Sequence, residues 1–202
     1  LGLPNLLFPA IKPPTQVQRL GDLAKQTAKE GDPRTIVWGR ARPIGGNLIH
    51  VQAPQKFWTT SSVSGGGKGG GGGDQETRTE QVRRSYAIGV CEGPITGYAR
   101  IWRNQKLVYD GRPGSEWGAK NNKVFLKKFT LYLGAWDQMP DPTLESIWGV
   151  GNVPAYRGTA YMVAIKETLT DLGGAVPQWV FEVDREPNRL LTSTVYPVEC
   201  VE

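Results

Sequence analysis

The stretch of this 202-residue chain with the most suggestive chemistry is residues 61–75, SSVSGGGKGGGGGDQ. Eight of the chain's 26 glycines lie between Gly65 and Gly73, with Lys68 among them. A P-loop needs a glycine, four residues, then Gly-Lys and a Ser or Thr. Its amides hold the phosphates, its lysine reaches the terminal ones and its hydroxyl ligates magnesium. Here Gly67-Lys68 is followed by Gly69, so the hydroxyl is missing, and Ser62 stands where the first glycine belongs. The dinucleotide pattern met by Gly65, Gly67 and Gly70 has meaning only where it opens a helix. The following DQETRTEQVRR offers no apolar face for a helix to bury. The segment reads as a flexible loop with a reach of roughly 20 Å.

Other reactive side chains are dispersed. Cys91 and Cys200, far apart in sequence, form neither a disulfide framework nor a zinc pattern. His50, the lone histidine, has no Cys or second His nearby and reads as an edge or surface residue. A Cys91–His50 thiol pair is weakened by the apolar AIGVC around the cysteine, which reads as a core strand. Asp137 with Asp141, and Asp184 with Glu186, are close enough in sequence to be paired carboxylates, but acid–base work requires a shared cleft. Near-neighbour acids in loops more often build turns. No catalytic group, cofactor or metal site is expected. Of the seven tryptophans, Trp179 belongs to an alternating core strand. Trp38, Trp117, Trp136 and Trp148 lie beside glycines or in loops, where they could stack on sugars or anchor a protein contact.

The elements that position these residues read as β-structure. Thr35–Arg40 and Asn47–Val51 are short strands separated by Pro43 and Gly45-Gly46. Ser85–Cys91 is a continuous apolar strand turned by Gly93-Pro94. Tyr98–Arg103 alternates, with Ala99 and Ile101 opposite Tyr98, Arg100 and Trp102. Asn104-Gln105 joins it to Lys106–Tyr109 as a two-residue hairpin. Phe125, Phe129, Leu131 and Leu133 are placed on one strand face. PDPTLESIWG is the one short helix, capped by Thr143 with Glu145 early in its first turn. YRGTAYMVAI, apolar on both faces, is a central strand. PQWVFEV alternates Trp179, Phe181 and Val183 inward against Gln178, Val180 and Glu182 outward. The fold class is mainly β: antiparallel sheets in a barrel-like arrangement, with a short helix and long loops.

Composition fits a globular chain, with 39% hydrophobic and 21% charged residues and no run of apolar residues long enough to span a bilayer. The opening LGLPNLLFPAIKPP is cut by four prolines and reads as an extended arm. The net charge of +5 is uneven. Residues 1–133 carry 20 Lys and Arg against 9 Asp and Glu, a balance of +11, and residues 134–202 carry 4 against 10, a balance of −6. Such asymmetry points to a partner surface.

YAIGVCEGPITGYARIWRNQKLVYD resembles the N-terminal region of phage tail-tip proteins, the tip attachment protein J family, and the related tail hubs of gene transfer agents. The downstream pieces are similar in the same order: YLGAWDQMPDPTLESIWGVGNVPAYRGTAYMVAI and LTDLGGAVPQWVFEV. So is the earlier IVWGRARPIGGNLIHV. The resemblance covers about Leu20 to Val183, with Gln105 in place of a usual glycine and Trp38 where tyrosine is common. It implies a structural protein of the virion tail tip, assembled in the bacterial host cytoplasm. It implies a homotrimeric hub that docks on the distal tail ring, the tape measure and neighbouring tip proteins and supports host-recognition domains. Neither nucleic-acid specificity nor a membrane span is expected. On this reading residues 1–19 are an arm, 20–184 the β-rich hub domain with the glycine loop inserted at 61–75, and 185–202 a connection to a following region. Glu92, Gly93, Pro94 and Gly97 would build a turn, Gly93 and Gly97 supplying backbone geometry closed to side chains. Candidate interface residues are Trp102, Trp117, Trp136, Trp148, Arg100 and Arg157. The rival readings are a carbohydrate-binding module, which needs four or more tryptophans on one exposed face, and a basic nucleic-acid binder.

Overall fold

In a computed structural model of the protein, the described residues are 34–40, 43–63 and 75–186. The arm at 1–19, residues 64–74 of the glycine loop, and residues 187–202 with Cys200 lie outside them.

Among the described residues, ten strands form two five-stranded antiparallel sheets. The first contains β3 (Asn47–Val51), β4 (Gln55–Val63), β5 (Gln75–Glu92), β8 (Phe129–Tyr132) and β9 (Thr159–Thr168). The second contains β1 (Gly39–Arg40), β2 (Ile44–Gly45), β6 (Gly97–Arg103), β7 (Lys106–Asp110) and β10 (Trp179–Arg185). Helices α1 (Ala119–Leu126) and α2 (Pro142–Trp148) and a 3₁₀ turn (Thr170–Leu172) complete the described elements.

The centre of each sheet follows from apolar content. In β5, Tyr86, Ala87, Ile88, Val90 and Cys91 are all buried, and in β9 so is every residue from Thr159 to Ala164. Strands apolar on both faces must be covered on both. One face of the first sheet packs on the second sheet through Tyr86, Ile88, Phe129, Met162, Trp179 and Phe181. Its other face packs Ala87, Tyr161 and Val163 beneath Leu144 of α2 and Val153. Tyr132 stacks on Tyr161 with ring centroids 4.3 Å apart, and Phe125 on Phe129 at 4.5 Å. A buried polar bridge also joins the sheets. Glu167 of the first sheet accepts from Tyr86 and from Arg103 Nε of the second (2.8 Å), and Trp179 Nε1 donates to the Tyr86 hydroxyl at 2.9 Å. Burial raises the pKa of the Glu167 carboxyl against the opposing pull of Tyr86 and Arg103.

Four readings from the sequence need correction. The sheets do not close into a barrel, because alternation dictates which face is buried and says nothing about whether edge strands meet. Phe125 lies on a second helix, α1, and not on a strand with Phe129. That helix is locally polar and is fixed by tertiary contacts. Asn122 exchanges hydrogen bonds with the backbone of Asp110, and Phe125 enters the core. The cap of α2 is Asp141, whose Oδ1 accepts from Leu144 N–H at 2.8 Å, with Pro142 opening the helix. Val180 and Glu182 are buried like their neighbours on β10, since the paired residues of β6 lie beside them on that face, Trp102 next to Val180 and Arg100 bound to Glu182. The hairpin reading holds: Arg103 pairs with Lys106, and Asn104 (φ 46°) and Gln105 (φ 68°) both take the left-handed backbone of a type I′ turn.

Candidate protein-interaction site

The chain passes from the first sheet to the second at residues 92–97, EGPITG. This corner is pinned by four other segments. Glu92 N–H donates to Thr35 O (2.9 Å), Gly93 N–H to Gly158 O (2.6 Å), Ile95 N–H to Leu133 O (2.9 Å) and Thr96 N–H to Asp184 O (2.7 Å). Pro94 has no amide hydrogen to place. The Thr96 hydroxyl accepts from Glu186 N–H at 3.0 Å, and the Ile95 side chain is buried. The N–H groups of Glu92, Gly93, Ile95 and Thr96 are thus all satisfied from outside the turn, which fixes the corner's shape.

Glycine is required at Gly93. Its φ is +84°, and a Cβ there would lie 2.7 Å from Arg185 Nη1. Gly97 has no such need: a Cβ would meet nothing within 4 Å and its φ is not left-handed. The sequence reading had named both as turn glycines. The close approach it missed is at Gly158, which has φ +71° and would place a Cβ 2.6 Å from the Trp136 ring. Gly158 N–H also donates to Gly134 O at 3.1 Å, so the 134–138 loop is seated directly on the corner.

An exposed apolar surface surrounds this frame. Trp38 is 76% exposed, Ile36 59% and Trp136 52%, and Leu133 is also exposed. Ile36 is bridged to Glu92, and the Arg185 guanidinium lies 5.3 Å from the Trp38 ring centroid while also approaching the Glu92 carbonyl. The charges nearby are largely matched. Arg34 pairs with Glu92 at 2.8 Å, and Arg40 grips Asp184 through two bonds of 2.6 and 3.0 Å. The corner thus combines a pre-set backbone with large apolar side chains turned to solvent, the composition of a protein-contact hot spot.

Of the residues singled out from sequence, Glu92, Gly93, Pro94, Gly97 and Trp136 meet here, and Arg157 lies beside them, its Nε donating to Gln138 O at 3.2 Å. The others lie elsewhere. Trp102 is 8% exposed, with Arg100 over its ring at 5.0 Å, and Arg100 is paired with Glu182 on β10. Trp148 is half-buried against His50, ring centroids 4.9 Å apart. Trp117 lines an open cavity of about 620 Å³ with Arg40, Leu107, Asp110 and Arg112. Arg112 binds Asp110 with both a side-chain nitrogen pair and its backbone amide, holding that carboxyl well below the usual range. Trp38 was legible as a glycine-flanked tryptophan. Ile36 and Leu133 were legible only as strand residues and Arg185 not at all, because the segments that gather them are far apart in the chain.

Of the candidate catalytic groups, Cys91, Asp141 and Asp184 are engaged within the fold. Cys91 is buried in the inter-sheet cluster, where desolvation pushes its thiol up to about 11, away from the thiolate a nucleophile needs. His50 sits on the other side of the first sheet against Trp148 and Tyr156. Asp141 caps α2 and accepts from the Tyr132 hydroxyl at 2.7 Å, and Asp184 is held by Arg40. As for a sugar-binding face, Trp102 and Trp179 are buried, Trp148 at the end of α2 is half-buried against His50 and Trp58 lies out on the β4–β5 hairpin. Three tryptophans remain, fewer than the four such a face requires.

The fold and this surface define a two-sheet β module with a hydrogen-bonded corner ringed by exposed apolar side chains. No protein-family model matches the chain, and no curated protein does. Among solved structures it is similar to a chain of the virion of a native gene transfer agent (GTA) particle, with 26% identity and a TM-score of 0.51. The match covers 84% of this chain and 30% of that one, so this chain corresponds to less than a third of its structural relative. The resemblance to phage-like particle proteins seen in the sequence is therefore matched in the fold.

Proposed function

We propose that this chain is a structural, non-enzymatic subunit of a phage-like particle, acting in a trimeric tail-tip hub. It docks on the distal tail ring, the tape measure and neighbouring tip proteins, and supports the host-recognition region. The observation that carries this reading is the match over 84% of the chain to a virion component. The docking surface is the EGPITG corner with Ile36, Trp38, Leu133 and Trp136. Burial of these side chains supplies most of the affinity. The uneven charge of the chain orients the approach, an effect that fades beyond a Debye length of about 8 Å at physiological salt. Early assembly therefore slows as salt rises, whereas finished contacts resist it. The test is to purify particles made with the Trp38→Ala/Trp136→Ala chain. A folded double variant that is lost from particles supports the reading, and normal incorporation contradicts it.

A further inference from the structure

The chain's positive excess is concentrated where ion pairs are missing. Arg34, Arg40, Lys56, Arg100, Arg103 and Arg112 each hold a carboxylate. Lys120, Lys123, Lys127 and Lys128 are exposed, and none of them is in an ion pair among the described residues. Residues 117–135 carry these four lysines and no Asp or Glu. The next segment, 136–156, is the reverse: it carries Asp137, Asp141 and Glu145 and no Lys or Arg. Two adjacent segments of one chain thus have opposite and unmixed charge.

The fold turns these charges to solvent on two different sides. Lys120, Lys123, Val124 and Lys127 fall at i, i+3, i+4 and i+7, one face of α1 and its C-cap. Phe125 enters the core from the other side, and Val124 is 56% exposed, with Leu126 exposed beside it. α1 lies against β7 and β8, each an end strand of its sheet. α2 instead covers the outer face of the first sheet through Leu144. Asp141 is used as its cap, whereas Asp137 is exposed and Glu145 half-buried, neither in an ion pair among the described residues. Met139 and Val150, at 67% and 86% exposure, flank the helix. Each side combines exposed apolar side chains with charges of one sign, as an interface core with its rim does. Nucleic acid would offer phosphates to the lysines but nothing to Val124, and this face has no arginine or ring to meet bases. The matching surface is on the chain itself.

We propose that copies of this chain associate head to tail through opposite charge: the α1 face of one copy, with Lys120, Lys123 and Lys127 around Val124, docks on the α2 side of the next, where Asp137 and Glu145 receive the lysines. Contact of α1 with α1, or of α2 with α2, would set like charges opposite each other, which selects against a two-fold arrangement. A head-to-tail contact closes into a ring when the rotation permits, and the trimer proposed above is one such ring. The proposal rests on that multi-copy reading and names the contact that joins the copies, apart from the EGPITG turn.

The test is sedimentation of the full chain across a dilution series, before and after nuclease treatment. The wild type is expected to associate in both, more weakly as salt rises. Lys123→Glu/Lys127→Glu and Asp137→Lys/Glu145→Lys each set like charges across the contact. Each is expected to raise the dissociation constant about 100-fold or more, with unchanged hydrogen exchange in β9 and β10. The four substitutions together reverse both faces and are expected to restore association. Carbodiimide coupling of mixed isotope-labelled and unlabelled wild type is expected to join α1 lysines to Asp137 or Glu145 of another copy. A wild type monomeric at its highest soluble concentration overturns the proposal, as does an oligomer indifferent to either reversal. So does a folded fourfold variant that stays monomeric. A coupled oligomer without those links overturns it whether or not the variants fold. Association lost on nuclease treatment assigns the lysines to nucleic acid and also overturns it. Every charge variant keeps Trp38 and Trp136, so the docking reading still stands or falls on incorporation into particles.

Discussion

The corner at residues 92–97 and the β4–β5 ribbon both face solvent, yet they are built in opposite ways. The corner donates hydrogen bonds to residues 35, 133, 158 and 184, so distant segments fix its shape before any partner arrives. The ribbon of β4 and the first part of β5 is one continuous ladder of nine rungs, with exposed side chains from Trp58 to Ser61 and at Arg78 and Thr79. The corner suits recognition by a pre-set surface, which loses little entropy on docking.

The sharpest break in this comparison comes from the paired substitution Trp38→Ala/Trp136→Ala. Both rings are exposed, so the folded chain should change stability by about 0.5 kcal/mol or less. Docking should lose about 2 kcal/mol or more per ring. Thermal unfolding and incorporation into particles measure the two separately. Gly93→Val comes next. It forces a β-branched residue into left-handed backbone and against Arg185, and should cost the isolated chain about 2–3 kcal/mol in a denaturant titration. An equivalent change on the ribbon, Thr59→Val, should leave that titration nearly unchanged.

Smaller effects test the surroundings. The folded-state pKa of Asp110 is depressed by Arg112, so its contribution to stability is full above the ordinary carboxylate pKa of about 4 and is lost as pH falls below it. Glu167 has the opposite sign: its folded pKa is raised, so its contribution is present at low pH and is lost as pH rises through that raised value. Asp110→Asn should flatten the acid limb of the stability–pH curve, and Glu167→Gln should flatten the limb above it. The smallest change expected is at the hairpin. Gln105 holds φ 68° in a type I′ turn, so Gln105→Gly should raise stability by about 0.5–1 kcal/mol. A fall in melting temperature would reject the turn.

What could be read from sequence was whatever local pattern dictates. The double-sided apolar runs of β5 and β9, the Asn104-Gln105 turn and the proline-led α2 all follow from side-chain period and backbone preference. β4 and the first half of β5 escaped because QKFWTTSS and TRTEQVRR pair with each other and bury nothing, leaving no apolar alternation to see. Helix α1 escaped because Asn122 and Phe125 are fixed by contacts with Asp110 and the core. At the site, the motif EGPITG was visible as a turn. Its apolar collar was not, since Ile36, Leu133 and Trp136 reach it from strands and loops that only the two-sheet packing brings together.

The account turns on the corner's being a buried contact in an assembled particle. A cryo-electron microscopy map of intact particles at side-chain resolution tests it directly. The account predicts this chain at the tail tip, with Ile36, Trp38, Leu133 and Trp136 covered by a neighbouring tail protein. A chain absent from the particle, or present there with those four side chains facing solvent, would contradict it.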